Sequence, residues 1–105
     1  MMFVVTGIKD CITKDAPRVA RIILQGKEDG SITTDFHNEC AEIFMLLLNI
    51  WINPVLFDRN LSETLSRLKF LQQMMKQLGV DVVSDKLIQK AVDLYSDMGG
   101  YKQDE

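Results

Sequence analysis

Apolar positions recur along this chain with the three-and-four spacing of amphipathic helices. The stretch NLSETLSRLKFLQQMMKQLG is the clearest case. Leu61, Leu65, Leu68, Leu71, Met75 and Leu78 form one stripe. Asn60 and Glu63 have the spacing of a capping box, and Gly79 is placed to end the helix. A second stripe, Leu87, Ile88, Ala91, Val92, Leu94, Tyr95 and Met98, predicts a helix from Ser84 to the glycines at 99 and 100, with Lys86, Lys90, Asp93 and Asp97 opposite. In DAPRVARIILQG, Asp15 reads as a cap, Pro17 as a first-turn residue and Gly26 as the left-handed terminator. Val19, Ile22 and Ile23 are its apolar side, with Arg18, Arg21 and Gln25 facing out. Residues 2–13 read as helix through Val4, Ile8 and Cys11, although Phe3 to Thr6 before Gly7 also suits a short strand. The expected fold is all-α: a compact bundle of four to five short helices in a single domain over 1–105, with a frayed tail at 100–105.

One helix breaks the amphipathic rule. From about 35 to 52, with Thr34 or Asp35 as cap and Asn53-Pro54 as stop, the chain becomes apolar all round. No charge stands between Glu42 and Asp58, and Ile43 to Ile52 is interrupted only by Asn49. A bilayer span needs about 20 apolar residues, and its ends carry Lys or Arg. This stretch is shorter and is flanked by Glu39, Glu42 and Asp58, so a membrane is not expected. A helix without a polar face has to be surrounded. It is expected to be the central member of the bundle, and the few short helices available to cover it favour a second copy of the chain. A homodimer is the expectation, with Phe44, Leu47 and Trp51 as interface residues.

Composition changes this picture little. The chain is 47% hydrophobic and 26% charged, which excludes disorder. Charge distribution is more telling. Net charge runs +3 over residues 1–27, −6 over 28–58, +3 over 59–76 and −3 over 77–105. Such blocks suit helices beside oppositely charged neighbours, or a protomer pairing with its copy, and not a phosphate-binding stripe. Nucleic acid is therefore an unfavoured partner. Two distant cysteines, Cys11 and Cys40, make no disulfide framework, and Lys9 and Asp10 interrupt any signal-like apolar start, so a cytoplasmic location is expected.

Candidate chemistry is sparse. QGKEDGSITTDF has the length of a calcium loop, and its DGSITTD resembles the second half of the EF-hand family's loop, with Asp29 fifth, Gly30 at the tight turn and Ile32 eighth. The resemblance fails at the ligands. Gln25 and Lys27 occupy acidic positions and Phe36 replaces the closing glutamate. A similar alignment from Asp58 through Asn60 and Ser62 fails at Glu63 and Lys69. Calcium takes six to eight oxygens, so both segments are expected to be calcium-free interhelical turns. His37 and Cys40, one turn apart beside Glu39 and Glu42, are half a metal site or a thiol–imidazole pair at most. No phosphate loop or nucleophilic set accompanies them. Neither catalysis, a metal nor a cofactor is expected.

The feature hardest to absorb into a plain bundle is Phe70. It lies opposite the leucine stripe, among Ser66, Gln73 and Gln77, with Met74 beside it. Aromatic and methionine side chains are what interaction surfaces favour, and Arg67 and Lys69 would give a basic rim. The expected function is a small non-catalytic interaction protein (a regulator, adaptor or inhibitor) that binds a protein partner. Partner-binding residues would be Phe70, Met74, Arg67 and Lys69. The alternatives are a dimeric nucleic-acid-binding regulator and a degenerate EF-hand-like module without calcium.

Overall fold

The periodic segments become helices. The computed structural model describes residues 8–99, and among these the chain is helical without a strand. Helix α1 covers residues 8–28, α2 residues 37–51, α3 Pro54–Phe57, α4 Leu61–Gln77 and α5 Asp85–Asp97. The protein is a small all-α bundle. Its two hairpins, α1–α2 and α4–α5, are joined through the single turn α3. The helix-or-strand question over residues 2–7 and the frayed tail expected over 100–105 lie outside the described residues.

Local signals explain the second hairpin closely. Asn60 Oδ1 accepts from the Glu63 N–H at 2.9 Å, and Glu63 Oε1 accepts from the Asn60 N–H at 3.0 Å, a complete capping box. At the other end of α4, Gly79 has φ +84°; its N–H donates to the Lys76 carbonyl, and that of Val80 to Met75. That is a Schellman closure. Ser84 caps α5 by accepting from the Leu87 N–H at 3.1 Å.

The first hairpin departs from expectation at its punctuation. Asp15 makes no cap bond, because α1 begins earlier and runs through it. Cys11–Asp15 form a wide π turn in which the Ala16 N–H donates to the Cys11 carbonyl. A regular turn would press the Pro17 ring on the carbonyl four residues back, and the wider turn carries the helix past it. Gly26 also stays helical. A Cβ there would lie 2.4 Å from Ile32 Cδ1, so this glycine makes room for the returning linker rather than ending the helix. The left-handed residue is Gly30, φ +87°. Helix α2 starts at His37, and neither Thr34 nor Asp35 caps it. Thr34 Oγ1 instead accepts from the Phe36 N–H at 3.1 Å.

The linker between α1 and α2 is held by two carboxylates. Asp29 Oδ1 accepts from the Ser31 N–H at 2.9 Å, and Asp35 meets Lys27 Nζ at 2.8 Å. The Ser31 hydrogen bonds hold Asp29 below the usual carboxylate range, and Lys27 does the same for Asp35. Each folded pKa lies below its unfolded value. Their stabilisation is therefore present above the unfolded value, about 3.9, and is lost as pH falls through the folded ones. The Ser31 amide resonance is expected to titrate with a midpoint below about 3.9. A midpoint at or above that value would show that the Asp29 bond does not form.

Helix α2 is central by contact. It packs on α1 and on α4, and its Leu48 carbonyl accepts a hydrogen bond from the Tyr95 hydroxyl of α5. Small buried residues line its contact with α1, namely Ala16 and Ala20 against Cys40 and Ala41. Phe44, Leu68, Leu71, Met75, Ile88 and Tyr95 join them in one core. Yet α2 is not enclosed. The molecule measures 46 × 30 × 19 Å, and 19 Å is about two helix diameters. Ile43 is exposed and every residue from Met45 to Trp51 is only partly buried. Its last turn, Leu47–Trp51, is again a π turn, with the Ile52 N–H donating to the Leu47 carbonyl at 2.8 Å. The asparagines that interrupt the apolar run serve this backbone. Asn49 Nδ2 donates to the Met45 carbonyl and Asn53 Nδ2 to that of Asn49. Asn53 also caps α3 rather than merely stopping α2.

The stripes are buried only in part. Leu61 and Leu78 at the ends of α4 are exposed, as are Leu94 and Met98 on α5 and Ile22 on α1. A two-layer bundle covers one sector of each helix and leaves part of its apolar stripe bare. No helix among the described residues is long and apolar enough to cross a membrane.

Candidate functional site

Between α2 and α4 runs an open groove of about 530 Å³. Cys40 and Ile43 of α2 line one wall, Met74 and Leu78 of α4 the other, and Phe36 closes one end with Asp35 and Glu39. Helical spacing continues both walls. On α4, Phe70, Met74 and Leu78 share a face; on α2, Leu47 and Trp51 follow Ile43 at four-residue steps. The two walls meet again at the far end, where Trp51 and Phe70 pack edge to face, 5.8 Å between ring centres at 72°.

That far end is an aromatic and arginine cluster. The Arg67 guanidinium lies 5.8 Å from the Trp51 ring centre, and that of Arg59 lies 5.6 Å from Trp51 and 4.9 Å from Phe57. Each distance is within cation–π range. Backbone carbonyls hold both side chains, since Arg59 Nη1 donates to Trp51 and Arg67 Nη1 to Glu63. Desolvation lowers the Arg59 pKa, and the nearby Arg67 charge lowers it further. Among the described residues neither guanidinium has a carboxylate within ion-pair distance, and Arg67 Nε is buried without a hydrogen-bond partner.

The candidates named from sequence divide on this geometry. Phe70 is exposed, at 55% of its surface, and Met74 lines the groove while also touching the core. Arg67 is more than a rim charge, because it stacks on Trp51. Lys69 does not belong to the groove. One residue from Phe70 is a 100° rotation on the helix, which puts Lys69 over a separate hollow with Leu61 and Leu65. Phe44, expected at an interface, is a core residue at 6% exposure, because its face of α2 meets Leu68, Leu71 and α5. Leu47 and Trp51 are half-buried and pack against the core. Sequence reasoning missed Phe36, Ile43, Phe57, Arg59 and Leu78. Only the absence of charge from 43 to 57 hinted at any of them.

The other candidate chemistries do not assemble. The Cys40 sulfur lies 3.7 Å from Thr34 Oγ1, beneath the groove. Burial, then Asp15 and Asp10, push the Cys11 thiol up, which disfavours its thiolate. Both cysteines are free and buried. In the calcium-like segment, Lys27 is paired with Asp35 at 2.8 Å. In the second segment, Asn60 and Glu63 are committed to the α4 cap. Among the described residues no three His, Cys, Asp or Glu side chains gather as metal ligands. No protein-family model, curated protein or solved structure matches this chain. The chemistry of the groove therefore carries the functional reading.

Proposed function

We propose that this is a small non-catalytic helical interaction protein, a regulator, adaptor or inhibitor, which binds a protein partner through the groove between α2 and α4. The observation that carries this is the cluster of half-buried Trp51, Arg59 and Arg67 with the exposed Phe57 and Phe70. Trp and Arg are among the residues that dominate binding hot spots, and large aromatic anchors are enriched at interface cores. Here the two arginines are held by backbone carbonyls, and Trp51 and Phe70 by their edge contact, before any partner arrives. Pre-held side chains lose little freedom on binding, which is where affinity is usually lost.

Arginine beside aromatics also suits stacked bases, the chemistry of single-stranded nucleic acid. Against that second reading, Asp35 and Glu39 line the same groove and would repel a phosphate chain following it.

Phe70→Ser tests the proposal. Losing the edge contact with Trp51 is expected to cost about 0.5–1.5 kcal/mol of stability. Capture of the partner from source-cell extract, compared between wild type and variant, is expected to weaken by about 30-fold, the size of a hot-spot loss. Unchanged capture by a folded Phe70→Ser protein would remove the groove as the binding surface.

A further inference from the structure

The groove carries opposite charges at its two ends. Glu39 stands at the Phe36 end, exposed and without a cationic partner among the described residues. Arg59 and Arg67 stand at the Trp51 end, without a carboxylate in ion-pair distance among the described residues, although the Glu63 charge reaches Arg59. Asp35, also at the acidic end, is held by Lys27, so Glu39 is the unneutralised acid. Twelve residues of helix separate Glu39 from Trp51, about 18 Å at 1.5 Å per residue. Between them lie Ile43 and Met74 of the groove and the exposed Phe70, with Gln77 as a polar residue of the lining.

Such a surface is complementary to itself. A two-fold axis perpendicular to the groove at its midpoint exchanges the ends, so acid meets arginine twice and apolar wall meets apolar wall. A parallel arrangement would set arginine against arginine. The broad face of the molecule, 46 × 30 Å, exceeds the roughly 800 Å² per partner that a standard stable interface buries. Covering it would also enclose α2, whose Met45–Trp51 turns are only partly buried in a single copy. We infer that the groove is occupied by a second copy of this chain, laid antiparallel about a two-fold axis near Leu47, with Glu39 of each copy against Arg59 and Arg67 of the other. This rests on the groove being a binding surface and names its partner.

Sedimentation equilibrium with charge-reversed variants tests it. Wild type is expected to be dimeric at micromolar concentration. Glu39→Arg alone sets like charges together at both ends and is expected to weaken the dimer about 100-fold. Arg67→Glu, which puts a carboxylate against Glu39 beside the remaining Arg59, is expected to weaken it less. Mixing the two variants is the decisive step. In the mixed pair one end carries the reversed ion pair and the other the original, so a heterodimer tighter than either variant's pairing with itself is expected. If Arg67→Glu disturbs folding by circular dichroism, Arg59→Glu replaces it with the same expectation. A wild-type protein monomeric at high micromolar concentration overturns the inference, as does a mixture no tighter than its parts. If the protein is monomeric while Phe70→Ser still loses a different protein from extract, the second copy is rejected and the binding groove stands. If neither association nor capture responds, both readings fail.

Discussion

Leu68→Ala is expected to lower the free energy of unfolding by about 2–5 kcal/mol. Leu68 sits at 1% exposure in the middle of α4, among Phe44 and Leu48 of α2 and Ile88 of α5. Truncation removes the transfer energy of the lost methyl groups and leaves a void. The void would join an existing gap of about 20 Å³ already bounded by these side chains. Its walls come from three helices, and the Tyr95 hydroxyl ties two of them together at the Leu48 carbonyl. Little collapse is available, which places the cost in the upper part of the range. Urea titration checks this, with the midpoint falling and the slope unchanged. A loss below about 1 kcal/mol would mean that α4 does not pack through this face. Two residues further on, Phe70→Ser spares the core, so the pair of variants separates folding from binding on one helix.

Gly79→Ala is expected to be nearly as damaging, at about 2–3 kcal/mol, for a reason that no hydrophobicity scale records. Its φ of +84° costs an L-residue about 1–2 kcal/mol. A Cβ would also stand 2.5 Å from Thr33 Oγ1 and 3.1 Å from the Thr34 nitrogen. The linker would have to withdraw, straining the hydrogen bond from the Thr33 N–H to the Gly79 carbonyl, now 3.0 Å. Gly30→Ala is the control. Its φ of +87° carries the same strain, but nothing lies within 4 Å of its Cβ. Thermal melts of the two variants should differ by the close approach alone. Equal losses would show that the linker does not rest on the end of α4.

Much of the fold was legible in the sequence where the deciding interactions are local. The capping box at Asn60 and Glu63, the closure at Gly79 and the cap at Ser84 each involve residues within a few positions of one another. They were read correctly for that reason. Gly26 was misread because a distant segment sets its surroundings, whereas Pro17 and Asn53 do more than the first-turn and stop roles read for them. A widened turn relieves the proline, a returning linker needs the space at the glycine, and a new helical turn uses the asparagine as its cap. A residue's type states what it can do and leaves open which neighbour will use it.

Phe70 was visible as an apolar residue on the wrong face of an amphipathic helix, and that is periodicity alone. Its meeting with Trp51, and the convergence of Arg59 and Arg67 on the same ring with Phe57 against Arg59, joins three helices and an intervening turn. So does the sorting of Phe44 into the core and Lys69 away from the groove. Helical periodicity orders residues around one axis, and the sequence by itself determined that order for this protein. Which sector of each helix is buried depends on how many neighbours the bundle can supply. A molecule two helices thick supplies too few for an all-apolar α2, so only the tertiary structure decided that one side of this helix becomes the wall of a groove.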